Sequence, residues 1–178
     1  VDWLAARDDS EGREFWQQQL SGYVPEPLPG IGSIPGSEMT DPDVDSWVQH
    51  TIPEVILRQW EKSLAGERIT LSALVTAAWA ITVQRHAGAA ETVVGLTNAS
   101  RPLDLPGATQ HVGVYVDVAP LRLAPPEGVT VRQWLHEVQQ QSRAVMEHSF
   151  SGDRELPKSP DSVGVPLLQN SVVLQNSL

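Results

Sequence analysis

Two polar groupings are the strongest chemical candidates in this sequence. Asn98, Ser100, Arg101 and Asp104 cluster in NASRPLD, directly after the apolar run Thr92-Val-Val-Gly-Leu-Thr97. A rigid element followed by a polar loop is where binding groups are commonly held. The other reading is a turn in which Arg101 pairs with Asp104 at the surface. The second grouping lies in HVGVYVDVAPLR, residues 111–122, where Val112, Val114, Val116 and Val118 alternate with Gly113, Tyr115 and Asp117. That alternation predicts a strand buried on its valine face, with Tyr115 and Asp117 turned to water or to a cavity. His111 opens the same stretch and is the best lone general-base candidate; a solvated strand end is its plainer reading.

Other chemistries find less support. His50, His86, His111, His136 and His148 lie far apart in sequence, none three to five residues from another, so no zinc or iron ligand pattern is present. The chain lacks cysteine, which removes disulfides, thiolate metal sites and cysteine nucleophiles together. GxSxG, GxxxxGK(S/T) and GxGxxG are all missing. His136 and His148 read as surface residues, and Trp16, Trp60, Trp79 and Trp134 as core members of helical stripes.

The elements that must position these groups follow from periodicity. Asp9-Ser10 opens a short amphipathic helix carrying Phe15, Trp16 and Leu20, ended by Gly22. Residues 25–42, rich in proline, glycine and serine, predict an irregular segment. Ser46–Ile52 predicts a strand, and Thr51-Ile-Pro-Glu54 matches a capping box ahead of a helix with Leu57, Trp60 and Leu64 in its stripe. Thr70 caps the next helix, whose expected buried stripe is Leu71, Leu74, Val75, Ala78 and Trp79. Thr130 opens a last helix bearing Val131, Trp134, Leu135, Val138 and Val145. Near the end, Leu-Gln-Asn-Ser recurs at Leu168 and Leu174, too short a pattern for a repeat architecture. Strands and helices alternate throughout, so the expected class is α/β, an α+β sandwich with a mixed, mostly buried sheet against helices.

With 178 residues there is room for one or two lobes but not for several domains. A formal charge of −10 and the absence of a basic cluster argue against nucleic acid as a partner. No apolar run approaches the length of a membrane span, so no membrane partner is expected. The cytoplasm is the expected compartment. Val1-Asp2-Trp3 lacks an initiating Met and Leu178 follows an apolar run, which leads us to expect a fragment of a longer polypeptide.

Several segments, in order, resemble the C-terminal lobe of a condensation domain from a non-ribosomal peptide synthetase, of the chloramphenicol-acetyltransferase-like superfamily. They are Trp3-Leu4 leading into Glu14-Phe-Trp16 and Leu20-Ser-Gly22, the Ala-rich helix of residues 71–86, Thr92–Thr97 with Ser100-Arg-Pro102 and Leu105-Pro-Gly107, and above all Val112–Arg122. The last is similar to the family's (I/V)GxFVNTxxxR, with Val112, Gly113, Val116 and Arg122 in register. Departures are Ser100 for the usual Gly, Tyr115 for Phe and Asp117-Val118 for Asn-Thr. The catalytic HHxxxDG is absent, which in this family belongs to the preceding lobe.

The resemblance implies that residues 1–178 are one lobe of a two-lobed domain. Such a domain joins a donor and an acceptor, each tethered by phosphopantetheine to a carrier protein, through an amide bond in a tunnel between the lobes. It implies no directly bound cofactor and no metal. The implied partners are the N-terminal lobe, peptidyl or aminoacyl carrier proteins and adjacent synthetase domains. Asn98, Ser100, Arg101, Tyr115 and Asp117 are the expected tunnel or lobe-interface residues, and no catalytic residue is expected in this chain. An epimerisation, cyclisation or ester-forming relative, and a non-catalytic carrier-docking module, remain as alternatives.

Overall fold

The computed structural model describes residues 10–28, 48–99, 107, 110, 112–113, 115–125, 127–149 and 165–175. Four helices and three strands make up the described part: α1 (Ser10–Leu20), α2 (Glu54–Glu67), α3 (Leu71–Ala87), β1 (Thr92–Ala99), β2 (Val116–Leu123), α4 (Val131–Glu147) and β3 (Ser171–Val172). The sheet order is β2-β1-β3, antiparallel between β1 and β2 and parallel between β1 and β3. This mixed sheet against helices is the α/β class expected.

Local chemistry explains where the helices start and stop. Thr70 accepts from the Ala73 N–H, and Thr130 forms a reciprocal capping box with Gln133, so both expected caps are present. Gly22 and Gly88 take positive φ where α1 and α3 end. The expected Thr51 capping box does not form: Pro53 occupies the N-cap of α2 without a side-chain hydrogen bond. Nor do residues 48–52 form the expected strand; they are exposed and without regular structure.

The core joins Trp16 and Leu20 of α1, Leu64 and Ile69, Ala73, Ala77 and Ala80 of α3, both long strands, and Trp134, Leu135, Val138 and Val145 of α4. In α3 the buried face is Ala73, Thr76, Ala77, Ala80, Val83 and Gln84, rather than the stripe of larger residues expected. Small side chains let the helix approach its neighbours closely, and burying Ala costs little rotamer entropy. The larger residues Leu74, Val75 and Trp79 instead border an open apolar groove of about 600 Å3 with Ile52, Trp60 and Leu64 of the α2 region. Trp60 and Trp79 are therefore 37% and 40% exposed, against the expectation of core positions, whereas Trp16 and Trp134 are buried. His148 is not the plain surface residue expected: its ring stacks on Phe15 at 4.3 Å, and its carbonyl accepts from Trp16 Nε1.

Two glutamines hold elements together from inside. Gln139 on α4 accepts from the Thr70 N–H at 2.7 Å and donates to the Arg68 carbonyl at 3.0 Å, tying α4 to the α2–α3 junction. Gln84 donates to the Leu123 carbonyl at 2.8 Å, anchoring α3 to the end of β2.

Candidate functional site

Register decides what the β1–β2 pair presents. Thr92, Val94, Leu96 and Asn98 pair with Leu123, Leu121, Ala119 and Asp117, so these eight positions share one face of the pleat. On β2 the buried members of that face are Ala119, Leu121 and Leu123. The valine face runs the other way: Val116 is 56% exposed, Val118 lies at the surface and Val112 is 104% exposed. This overturns the expectation that the valines pack on the helices. Asp117, not the valines, continues the core-facing row, and it lies where that row leaves the core.

Asp117 is half-buried, and its Oδ1 accepts from the Val118 N–H at 2.8 Å. Tyr115, also half-buried, precedes β2. The ladder places Asn98 and Asp117 as direct cross-strand partners although they are far apart in sequence, so the structure joins two of the expected site residues. Ser100, Arg101, Asp104 and His111 lie outside the described residues. At this end of the sheet a carboxylate is held beside a polar position at the rim of the core. The Asp117 carboxylate can accept hydrogen bonds from an amine or amide; among the described residues no base is paired to a nucleophile there, so it offers orientation rather than proton abstraction.

The opposite end of the ladder carries a network that the spacing did not reveal. Arg122 forks onto Glu91, Nε to Oε2 at 2.7 Å and Nη2 to Oε1 at 3.1 Å, while Nη1 reaches the Ser21 carbonyl at 2.6 Å. Its guanidinium carbon lies 5.6 Å from the centre of the Tyr23 ring. A planar fork on a carboxylate is the geometry in which arginine outperforms lysine. Next to it, a cavity of about 320 Å3 is lined by Tyr23, Glu26, Glu91, Gln169 and Asn170 among others.

The first Leu-Gln-Asn-Ser copy acquires a structural role here. Gln169 accepts from the Leu28 N–H and donates to the Glu26 carbonyl. Asn170 donates to the Val93 carbonyl, accepts from Trp79 Nε1 at 2.9 Å, and offers its own carbonyl to the Gly95 N–H. The repeat was legible in sequence, but its partners, as distant in the chain as Glu26, Leu28, Trp79, Val93 and Gly95, were not.

Burial pushes the Tyr23 phenol above its ordinary pKa of 10.0, reinforced by the Glu91 charge and opposed by a hydrogen bond from the Val93 backbone and by Arg122. The folded chain thus holds this proton to higher pH than the unfolded chain. Its stabilising effect is complete below pH 10 and declines as pH rises from there through the folded-state pKa. Urea midpoints measured from pH 9 to 11 should fall more steeply in the native chain than in Tyr23→Phe.

Among the described residues no three or more His, Cys, Asp or Glu side chains gather to hold a metal ion, and no single helix is long and apolar enough to cross a membrane.

Comparison with known proteins gives this geometry its context. A linear gramicidin synthase from Brevibacillus parabrevis is 34% identical over 155 residues, covering 85% of this chain and 3% of the synthase. Chondramide synthase cmdD of Chondromyces crocatus is 29% identical over 99% of this chain, again a small part, 4%, of that protein. The chain therefore spans only a few per cent of the length of these curated relatives. Among solved structures, the condensation domain from the Monacolin K polyketide synthase MokA shares the fold at a TM-score of 0.62, with 18% identity over 84% of this chain and 35% of that one. A four-domain nonribosomal peptide synthetase bound to AMP and glycine matches at a TM-score of 0.64, with 19% identity over 93% of this chain and 13% of its own. The family model described as "Condensation domain" matches residues 1–178, the entire chain, and the protein accordingly belongs to the condensation-domain family.

Proposed function

We propose that this chain is the C-terminal lobe of a condensation domain in a nonribosomal peptide synthetase, working in the cytoplasm as part of a longer polypeptide. In this reading the acceptor amine attacks the donor thioester, an amide forms, and the donor carrier's phosphopantetheine leaves as a free thiol. The chain supplies orientation and one tunnel wall, and the acid–base group comes from the N-terminal lobe. The carrying observation is that the family model matches residues 1–178 throughout while these residues contain no HHxxxDG and no adjacent histidines at all.

Position 98 and Asp117, paired across the ladder, are then the groups of this lobe that orient an acceptor. Tyr115 is assigned to the same wall, and the resemblance alone assigns Ser100 and Arg101, outside the described residues, to it. The partners are the N-terminal lobe, the two carrier proteins and the neighbouring synthetase domains.

Asp117→Ala in the complete synthetase should lower amide formation from carrier-loaded substrates roughly tenfold, the scale of one charge-assisted hydrogen bond. Asp117→Asn, which keeps the acceptor oxygen, should lose less. The checks are single-turnover product formation by mass spectrometry and a urea midpoint for each variant. Equal loss of activity and stability would make Asp117 structural. A complete two-lobed domain that binds loaded carriers and forms no amide would point to a docking module instead.

A further inference from the structure

The Asn98–Asp117 pairing exists only because β2 lies in one register on β1. Residues 100–115 separate the strands, so no tight hairpin turn sets the alignment. The apolar row of Ala119, Leu121 and Leu123 blocks slippage in one direction only. A two-residue shift that sets Asp117 opposite Leu96 drives a carboxylate into the core row and is resisted by desolvation. The opposite shift sets Ala119 opposite position 98 and Leu121, Leu123 and Pro125 opposite Leu96, Val94 and Thr92. That row is still entirely apolar on β2 and does not forbid it, but on the other face Arg122 would take the place of the fully buried Pro120 opposite Gly95, which desolvation resists.

Arg122 opposes it through its partners as well. In the native register it stands opposite Val93, one residue along the ladder from the end where Glu91 waits, and it is bound by two bonds to Glu91 and one to the Ser21 carbonyl. The second shift carries it about 6.6 Å along the strand, opposite Gly95 and out of reach of both partners. Both carboxylate and guanidinium are partly screened from water, with side chains 30% and 25% exposed, so losing the fork leaves two half-buried charges unpaired.

We infer that Arg122 is a positioning residue: through Glu91 and Ser21 it locks the register of β2, and thereby places Asp117 opposite position 98. The consequence for chemistry rests on the function proposed above, but the register itself does not.

These 178 residues contain no cysteine, so disulfides joining peptides of this segment in the full polypeptide come from introduced pairs alone. Thr97→Cys with Val118→Cys reports the native register, in which these positions are partners. Ala99→Cys with Val118→Cys reports the slipped one; in the native register those positions are diagonal, beyond normal disulfide reach. Under mild oxidation, with yields read by peptide mass spectrometry, Arg122→Gln should lower the native-to-slipped ratio roughly tenfold. Arg122→Lys should recover part of it, having the charge without the fork. A residue that merely stabilised the fold would lower both yields without changing their ratio. An unchanged ratio in folded Arg122→Gln overturns the inference. Should that variant not fold, Glu91→Gln carries the same test: a fall in the ratio supports register locking, and no change overturns it. Because no activity is measured, failure here is separate from failure of the condensation reading.

Discussion

Gly95→Ala is expected to destabilise the chain by about 2–3 kcal/mol, the scale of overpacking in a closed core. A Cβ at this position would stand 2.7 Å from Val118 Cγ1, 3.1 Å from the Asn170 carbonyl oxygen and 3.2 Å from Ser171 Cβ. The valine can turn aside, but the other two contacts come from the segment that pairs with β1. Gly95 itself donates its N–H to that Asn170 carbonyl at 3.1 Å and pairs with Ser171. Separation therefore means loss of the β1–β3 pairing as well as of the Asn170 bonds to Trp79 and Val93. Adding Val118→Ala should recover only the valine's share, about a third to a half, which a double-mutant cycle would read. Urea unfolding followed by fluorescence of the buried Trp16 and Trp134 provides the measurement. A loss below about 0.5 kcal/mol, the level of an ordinary surface substitution, would show that the β3 segment does not hold this close approach.

Leu121→Ala should cost more, about 3–4 kcal/mol, as truncation of a closed core leucine does. Leu121 is 0% exposed and stands opposite Val94, also 0% exposed, at the middle of the core-facing row. Its neighbours in the row are Ala119 and Leu123, on a strand anchored at one end by Gln84 and Arg122, so the site has little freedom to collapse around the void. Against a total stability of about 5–15 kcal/mol, this single change removes a substantial share. By contrast Val116→Ala, on the exposed face of the same strand, should change stability by less than about 1 kcal/mol. The two substitutions together test the reassigned faces of β2: a valine face that carried the core would give the opposite ranking.

Much of the helical framework follows from neighbouring residues alone. Thr70 and Thr130 cap α3 and α4 because their hydroxyls meet backbone donors three residues on, an interaction complete within one turn. The start of α1, the strand at Thr92 and the irregular course of residues 25–28, the described part of the segment expected over 25–42, are legible for the same local reason. The ordered segments also carried the family resemblance, since a pattern such as VGVYVDVAPLR depends on identity and spacing and not on packing.

What tertiary structure decided was which side of each element is covered. Alternation shows that Val116 and Val118 share a face, but not that both are exposed while Ala119, Leu121 and Leu123 on the other face are buried. Both faces of β2 are apolar enough to be a core, and the choice is made by pairing with β1 and by Gln84 and Arg122. In α3 the alanine face was selected over the larger side chains because close approach to the sheet favours small residues, leaving Trp79 at a groove. Across residues 48–52, the described part of Ser46–Ile52, strand-like composition finds no strand partner among the described residues, and backbone hydrogen bonding to a neighbour, not propensity, makes a strand. The meeting of position 98 with Asp117, and of Glu91 with Arg122, is long-range in the same sense. Sequence determined which residues could serve; the ladder register determined which of them meet.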